Sequence, residues 1–140
     1  MSWLLNNTNN MQISSPSDIK TLVDRFYDKV NQDEILSPIF NEIMQVNWDT
    51  HLPIMYQFWG SLLLGEHSYT GNPMQKHIEI SKIVPLGEKE FARWLELFNQ
   101  NIDEHFTGPK AEEAKLRASN IARLMEFNLS SINISGSDRL

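Results

Sequence analysis

Ser15-Pro16-Ser17-Asp18-Ile19-Lys20-Thr21-Leu22-Val23-Asp24-Arg25-Phe26-Tyr27-Asp28-Lys29-Val30 opens with the signals of a helix start and continues with helical periodicity. Ser15 is a ready N-cap. Pro16 sits at the first helical position, where its missing N–H costs nothing, and Asp18 places negative charge in the first turn. Ile19, Leu22, Val23, Phe26 and Val30 then recur at helical spacing, with Tyr27 beside the stripe. The same period governs the rest of the chain.

Downstream, Pro38 interrupts the pattern and leaves Ile39 and Phe40 in a tight corner. Asp49 or Thr50 caps a second helix that tolerates Pro53 in its first turn, and Gly65 ends it. Its inner face carries His51, Met55, Phe58, Trp59 and Leu62. A loop from Glu66 to Gly71 leads to a short turn, Asn72-Pro73-Met74-Gln75-Lys76-His77. Glu88 begins a long helix with Phe91, Trp94, Leu95, Phe98 and Ile102 on one side, ending near Gly108. Pro109 opens the last helix, whose Ala111, Ala114, Ala118, Ile121, Ala122 and Met125 make a small-residue stripe for close packing. No stretch alternates like a strand, so the spacing predicts an all-α protein. Residues 1–14 and 128–140 are rich in Asn and Ser and read as a flexible arm and tail around one domain at 15–127.

At 140 residues, one core of ordinary size is expected. No apolar run approaches the roughly 20 residues that cross a bilayer, and the polar, non-basic start is not a signal peptide. Without cysteine there is no disulfide, thiolate ligand or thiol nucleophile, which fits a cytoplasmic location. The net charge of −6 and the scattered Lys and Arg argue against a nucleic-acid partner.

His77 carries the sharpest chemistry. It follows a Pro-started turn on the face of Met74 and Ile78, between apolar segments. An imidazole held rigidly in such a crevice is what a haem iron requires. Any single His, however, is more often a satisfied structural residue. His51 lies one turn before Met55 and can face a cavity, gate it, or help cap its helix. Tyr27 and Trp94 each set one donor among apolar neighbours, for a polar ligand or for a backbone carbonyl. Phe40, Met55, Phe58, Trp59 and Met74 are core residues by default and line a cofactor only if a flat apolar one is present. There is no HExxH, phosphate loop, Cys/His cluster or nucleophile elbow.

Six segments taken together in this order carry a resemblance. They are Phe26-Tyr27, Leu36-Ser37-Pro38-Ile39-Phe40, Trp48-Asp49-Thr50-His51, Phe58-Trp59 with Leu63-Leu64-Gly65, Tyr69-Thr70-Gly71-Asn72-Pro73-Met74 through His77, and Phe91-Ala92-Arg93-Trp94-Leu95. From about Asp18 to Met125 the chain resembles the group III truncated haemoglobins of bacteria. The Gly-Gly pair of other truncated haemoglobin groups is missing, as is usual in group III.

The resemblance implies a truncated globin fold, a two-on-two helical sandwich around haem b. It makes His77 the iron ligand and sets Tyr27, His51 and Trp94 on the distal side to stabilise the bound gas. Phe40 is then the wedge against the macrocycle, with Met55, Phe58, Trp59 and Met74 lining it and Tyr69, Lys76 and Lys82 candidates for the propionates. The implied function is binding of oxygen and other diatomic ligands, with nitric oxide dioxygenase-like or peroxidase-like turnover if a reductase supplies electrons. A gas sensor or carrier without turnover is the alternative, and a haem-free helical interaction domain a distant one.

Overall fold

The computed structural model describes residues 11–65 and 87–138, with side chains through residue 127. His77, Tyr69, Met74, Lys76 and Lys82 lie outside the described residues. Among the described residues the architecture is all-helical: α1 (Pro16–Gln32), a π-helical turn (Pro38–Ile43), α2 (Trp48–Leu64), α3 (Glu88–His105) and α4 (Pro109–Asp138).

α1 begins as its sequence dictates. The Asp18 amide donates to Ser15 Oγ at 3.3 Å, and the Ser15 amide donates back to Asp18 Oδ2 at 3.1 Å, a reciprocal capping box. Its apolar stripe is then buried as a unit: Ile19, Leu22, Val23, Phe26 and Val30 are all at most 1% exposed. α1 packs on α2 and α3, and α3 packs on α4. Ala111, Ala114 and Ala118 are buried, so the α4 backbone approaches the core closely behind methyl groups. Phe26 and Phe98 meet edge-on at 5.2 Å in the centre, each fully buried phenyl contributing roughly 1.5–3 kcal/mol.

A polar side chain enters the centre of this core. Asn101 is wholly buried, and its Nδ2 donates to the Leu22 carbonyl at 2.8 Å, tying α3 to the middle of α1. Asn101 Oδ1 finds no donor among the described residues.

Three boundaries differ from the sequence expectation. Asn47, not Asp49 or Thr50, caps α2: its side chain accepts from the Asp49 amide at 3.1 Å, so the helix starts at Trp48 and Pro53 falls beyond the first turn. Residues 11–14, which composition gives to the arm, are docked. The Met11 amide donates to His105 at 3.0 Å, Met11 accepts from Thr107 at 2.9 Å, and Ile13 is 2% exposed. α4 also continues to Asp138, through most of the segment that composition gives to the tail. Gly108 is required by this junction, because it turns with φ 96° and a Cβ there would meet the Gln12 side chain at 3.3 Å.

α1 ends on an ion pair. Asp33 accepts from the Ile35 and Leu36 amides and pairs with Arg93 Nε at 2.6 Å, fastening the end of α1 to α3. Burial alone raises the Asp33 carboxyl, but Arg93 and the two amides more than offset this and hold it below the ordinary carboxylate value.

Candidate functional site

Phe26 and Tyr27 are neighbours on α1, about 100° apart around the helix, so one turns into the core while the other faces α2. Tyr27 is the hinge of an aromatic wall that the π-helical turn and the first turn of α2 complete. Its ring lies 6.1 Å from Phe40, 5.3 Å from Trp48 and 5.3 Å from His51. Trp48 stacks on Phe40 at 5.9 Å and stands nearly perpendicular to the His51 ring at 5.5 Å.

The polar tips of this wall meet. Tyr27 Oη and His51 Nε2 are 3.4 Å apart, a long contact whose donor depends on the imidazole tautomer. Burial pushes the Tyr27 hydroxyl well above its ordinary pKa, so it stays a neutral donor at every physiological pH. Unlike the core rings, the wall is only partly covered: Phe40, Trp48, His51, Met55 and Phe58 are all half-buried. His51, Met55 and Phe58 share one face of α2 at i, i+4 and i+7.

Trp94 approaches from α3. It meets Phe26 edge-on at 5.5 Å and stacks on Phe98 at 5.6 Å. It is half-buried, and no acceptor for its Nε1 lies among the described residues. Tyr27 and Trp94 therefore flank the same Phe26 ring, Tyr27 lying 4.9 Å from it. Trp59 is 3% exposed, stacks on Phe98 at 4.8 Å and meets the half-buried Phe58 edge-on at 5.4 Å.

Two residues of the wall have no site role in the sequence reading, although Trp48 opens one of the family-like segments. Trp48 stands three residues before His51, the i, i+3 spacing of one helix face. That signal is legible only if the helix is started at Trp48. Asn41 has no sequence signal: it reaches the wall because the π-helical turn carries it next to Trp48, whose Nε1 donates to Asn41 Oδ1 at 2.9 Å. Among the described residues no group of three His, Cys, Asp or Glu side chains forms a metal site, and no helix is long and apolar enough to cross a membrane.

The family model for bacterial-like globins matches residues 12–127. A group 3 truncated hemoglobin of Campylobacter jejuni is 35% identical over 88 residues, which is 61% of this chain and 67% of that protein. The crystal structure of the group III truncated hemoglobin from Campylobacter jejuni superposes with a TM-score of 0.76 at 29% identity, covering 86% of this chain and 94% of that one.

Proposed function

From the membership of this chain in the bacterial-like globin family, among its group III truncated haemoglobins, we propose that it is a haem protein reversibly binding oxygen and other diatomic ligands. The observation that carries the proposal is the Tyr27–His51 contact of 3.4 Å, set in a half-covered aromatic wall of the globin fold.

The residues fit a flat apolar cofactor. Phe40, Met55, Phe58 and Trp94 offer half-buried apolar faces, while Tyr27 and Trp94 add uncharged donors. Haem b is the form proposed; His77 would supply the nitrogen that holds its iron, and Tyr69 and Lys76 would pair with its propionates. When bound, haem would supply a redox-active iron able to take up a diatomic gas.

The chain's own residues act on the ligand that enters there. Tyr27 Oη and Trp94 Nε1 present protons to its electron-rich end without bringing fixed charge into a low-dielectric site. His51 sets how Tyr27 is used. With the imidazole proton on Nδ1, Nε2 accepts from Tyr27; with it on Nε2, the imidazole donates and leaves the phenol proton for the ligand. Two donors on one small ligand slow its escape, which suits turnover of nitric oxide or peroxide, or sensing, better than bulk oxygen transport.

Absorption spectra of the purified ferrous protein with and without carbon monoxide test the proposal. A Soret band that shifts on adding the gas is expected, and colourless protein that takes up no added haem overturns it. Steady-state consumption of nitric oxide or peroxide with a reductant supplied separates turnover from sensing or carriage.

A further inference from the structure

His51 does not take its position from Tyr27 alone, because a 3.4 Å contact is long for a hydrogen bond. The imidazole also has a wall at its side, the Trp48 ring, 5.5 Å away at an interplanar angle of 82°. Trp48 is the first residue of α2, half-buried against the Tyr27 ring at 5.3 Å. Its indole has two further holds. One face stacks on Phe40, and Nε1 donates to Asn41 at 2.9 Å.

Asn41 is exposed, yet it is fully engaged. Its Nδ2 donates to Asn31 Oδ1 at 2.9 Å and to the Ser37 carbonyl and hydroxyl, each at 3.2 Å. An exposed amide that could be hydrated is thus clamped between the end of α1 and the π-helical turn, with its one oxygen turned to the indole. Insertions of π-helix recur at functional sites because they re-aim side chains, and this one brings Phe40 and Asn41 to opposite ends of the same Trp48 ring.

We infer that Trp48, locked by Asn41, is a positioning residue that holds His51 against Tyr27 and thereby sets how fast a diatomic ligand enters the site. The inference rests on the proposed ligand-binding role of Tyr27 and His51 and adds to it a control outside the ligand's reach. Trp48 acts through His51 and needs no contact with the ligand.

Asn41→Leu removes the acceptor, Asn41→Asp keeps an oxygen for Nε1 while losing the Nδ2 donations, and Trp48→Phe removes the indole N–H while keeping an aromatic ring. Each is prepared as the haem-loaded full chain, and carbon monoxide rebinding after flash photolysis is measured beside the His51 ring resonances of the ferrous carbon monoxide form. Asn41→Leu and Trp48→Phe are expected to speed association by about threefold to tenfold and to shift the His51 signals alike, the double variant adding little to either. Asn41→Asp is expected to stay close to wild type. Wild-type rebinding and unchanged His51 signals in both Asn41→Leu and Trp48→Phe overturn the inference while leaving the haem assignment intact. So does an Asn41→Asp variant as altered as Asn41→Leu, which would assign the effect to the Asn31 and Ser37 contacts. A wild-type protein without a carbon monoxide-responsive spectrum overturns both readings.

Discussion

Aromatic rings fill two regions of this molecule and are treated oppositely in them. Around Phe26, Trp59 and Phe98 they are sealed: each is at most 3% exposed and packs against other rings at 4.8–5.2 Å. Along Phe40, Trp48 and His51 the rings lie about as close to one another but stay half-buried, and their polar tips are bonded or aimed at one another. Burial of a ring stabilises a fold whichever atoms cover it; leaving a ring half-covered gives up part of that term and keeps a face available. Tyr27 belongs to both regions, since its ring is buried and its hydroxyl meets His51. Stability and ligand handling should therefore separate between the two regions, except at the residues they share.

Loss of the proposed iron ligand should break the comparison most completely. His77→Ala should abolish normal haem retention, read from the Soret absorbance per protein, and added imidazole should restore part of it. A mutant with unchanged haem content and spectrum would remove the reason for a half-covered wall. Ile102→Ala, in the sealed region at 0% exposure, should cost about 2–5 kcal/mol in denaturant unfolding while ligand kinetics stay near wild type. Tyr27→Phe should do the reverse. Losing one hydrogen bond to a polarised ligand, about 1.5–3 kcal/mol, should speed oxygen dissociation by one to two orders of magnitude and carbon monoxide dissociation less. Equal changes for both gases would point to a steric effect.

Smaller effects sharpen the border between the regions. Trp94→Phe should also speed oxygen release, and combined with Tyr27→Phe it should depart from additivity by about 0.5 kcal/mol or more, because both donors serve one ligand. Strict additivity would return Trp94 to the sealed region, as a ring that merely stacks on Phe98. The smallest effect concerns Asp33. Its carboxyl is held below the usual value of 3.8, so its contribution is complete above that pH and is lost as the pH falls through the lower folded value. Asp33→Asn should flatten that acid limb of a stability–pH curve without altering the oxygen dissociation rate.

The sealed region was legible in the sequence and the half-covered one only in part, for a physical reason. A buried stripe must repeat at 3.6 residues, so Ile19, Leu22, Val23, Phe26 and Val30 announce their helix and its inner face without further help. The alanines of α4 do the same for close packing. The wall draws on residues from three elements that share no period: Tyr27 at the margin of one stripe, Phe40 and Asn41 from a π-helical turn, and Trp48 from a helix start. Pro38 signals that the α-helical pattern stops there, but not that a wider turn takes its place. Starting α2 at Asp49 or Thr50 hid Trp48, because Asn47 is as good a cap and stands one residue earlier than the helix it serves. Ile13 is hidden for a similar reason: one isolated apolar residue is too little for a period, yet its side chain is buried in the core.

The buried amide of Asn101 has a consequence of another kind, for register rather than strength. Apolar helix faces can slide past one another by a turn, about 5.4 Å, and remake most of their contacts with the next leucine or isoleucine. The bond from Asn101 Nδ2 to the Leu22 carbonyl is lost over any slip short of the next equivalent carbonyl, about one turn away. An α3 slipped by less would leave the whole amide stranded in hydrocarbon, where it now leaves only one oxygen without a donor among the described residues. The residue works as a notch that admits α3 at one height within a turn of α1. That height sets Trp94, two helical turns earlier, against Phe26, the ring that Tyr27 also touches.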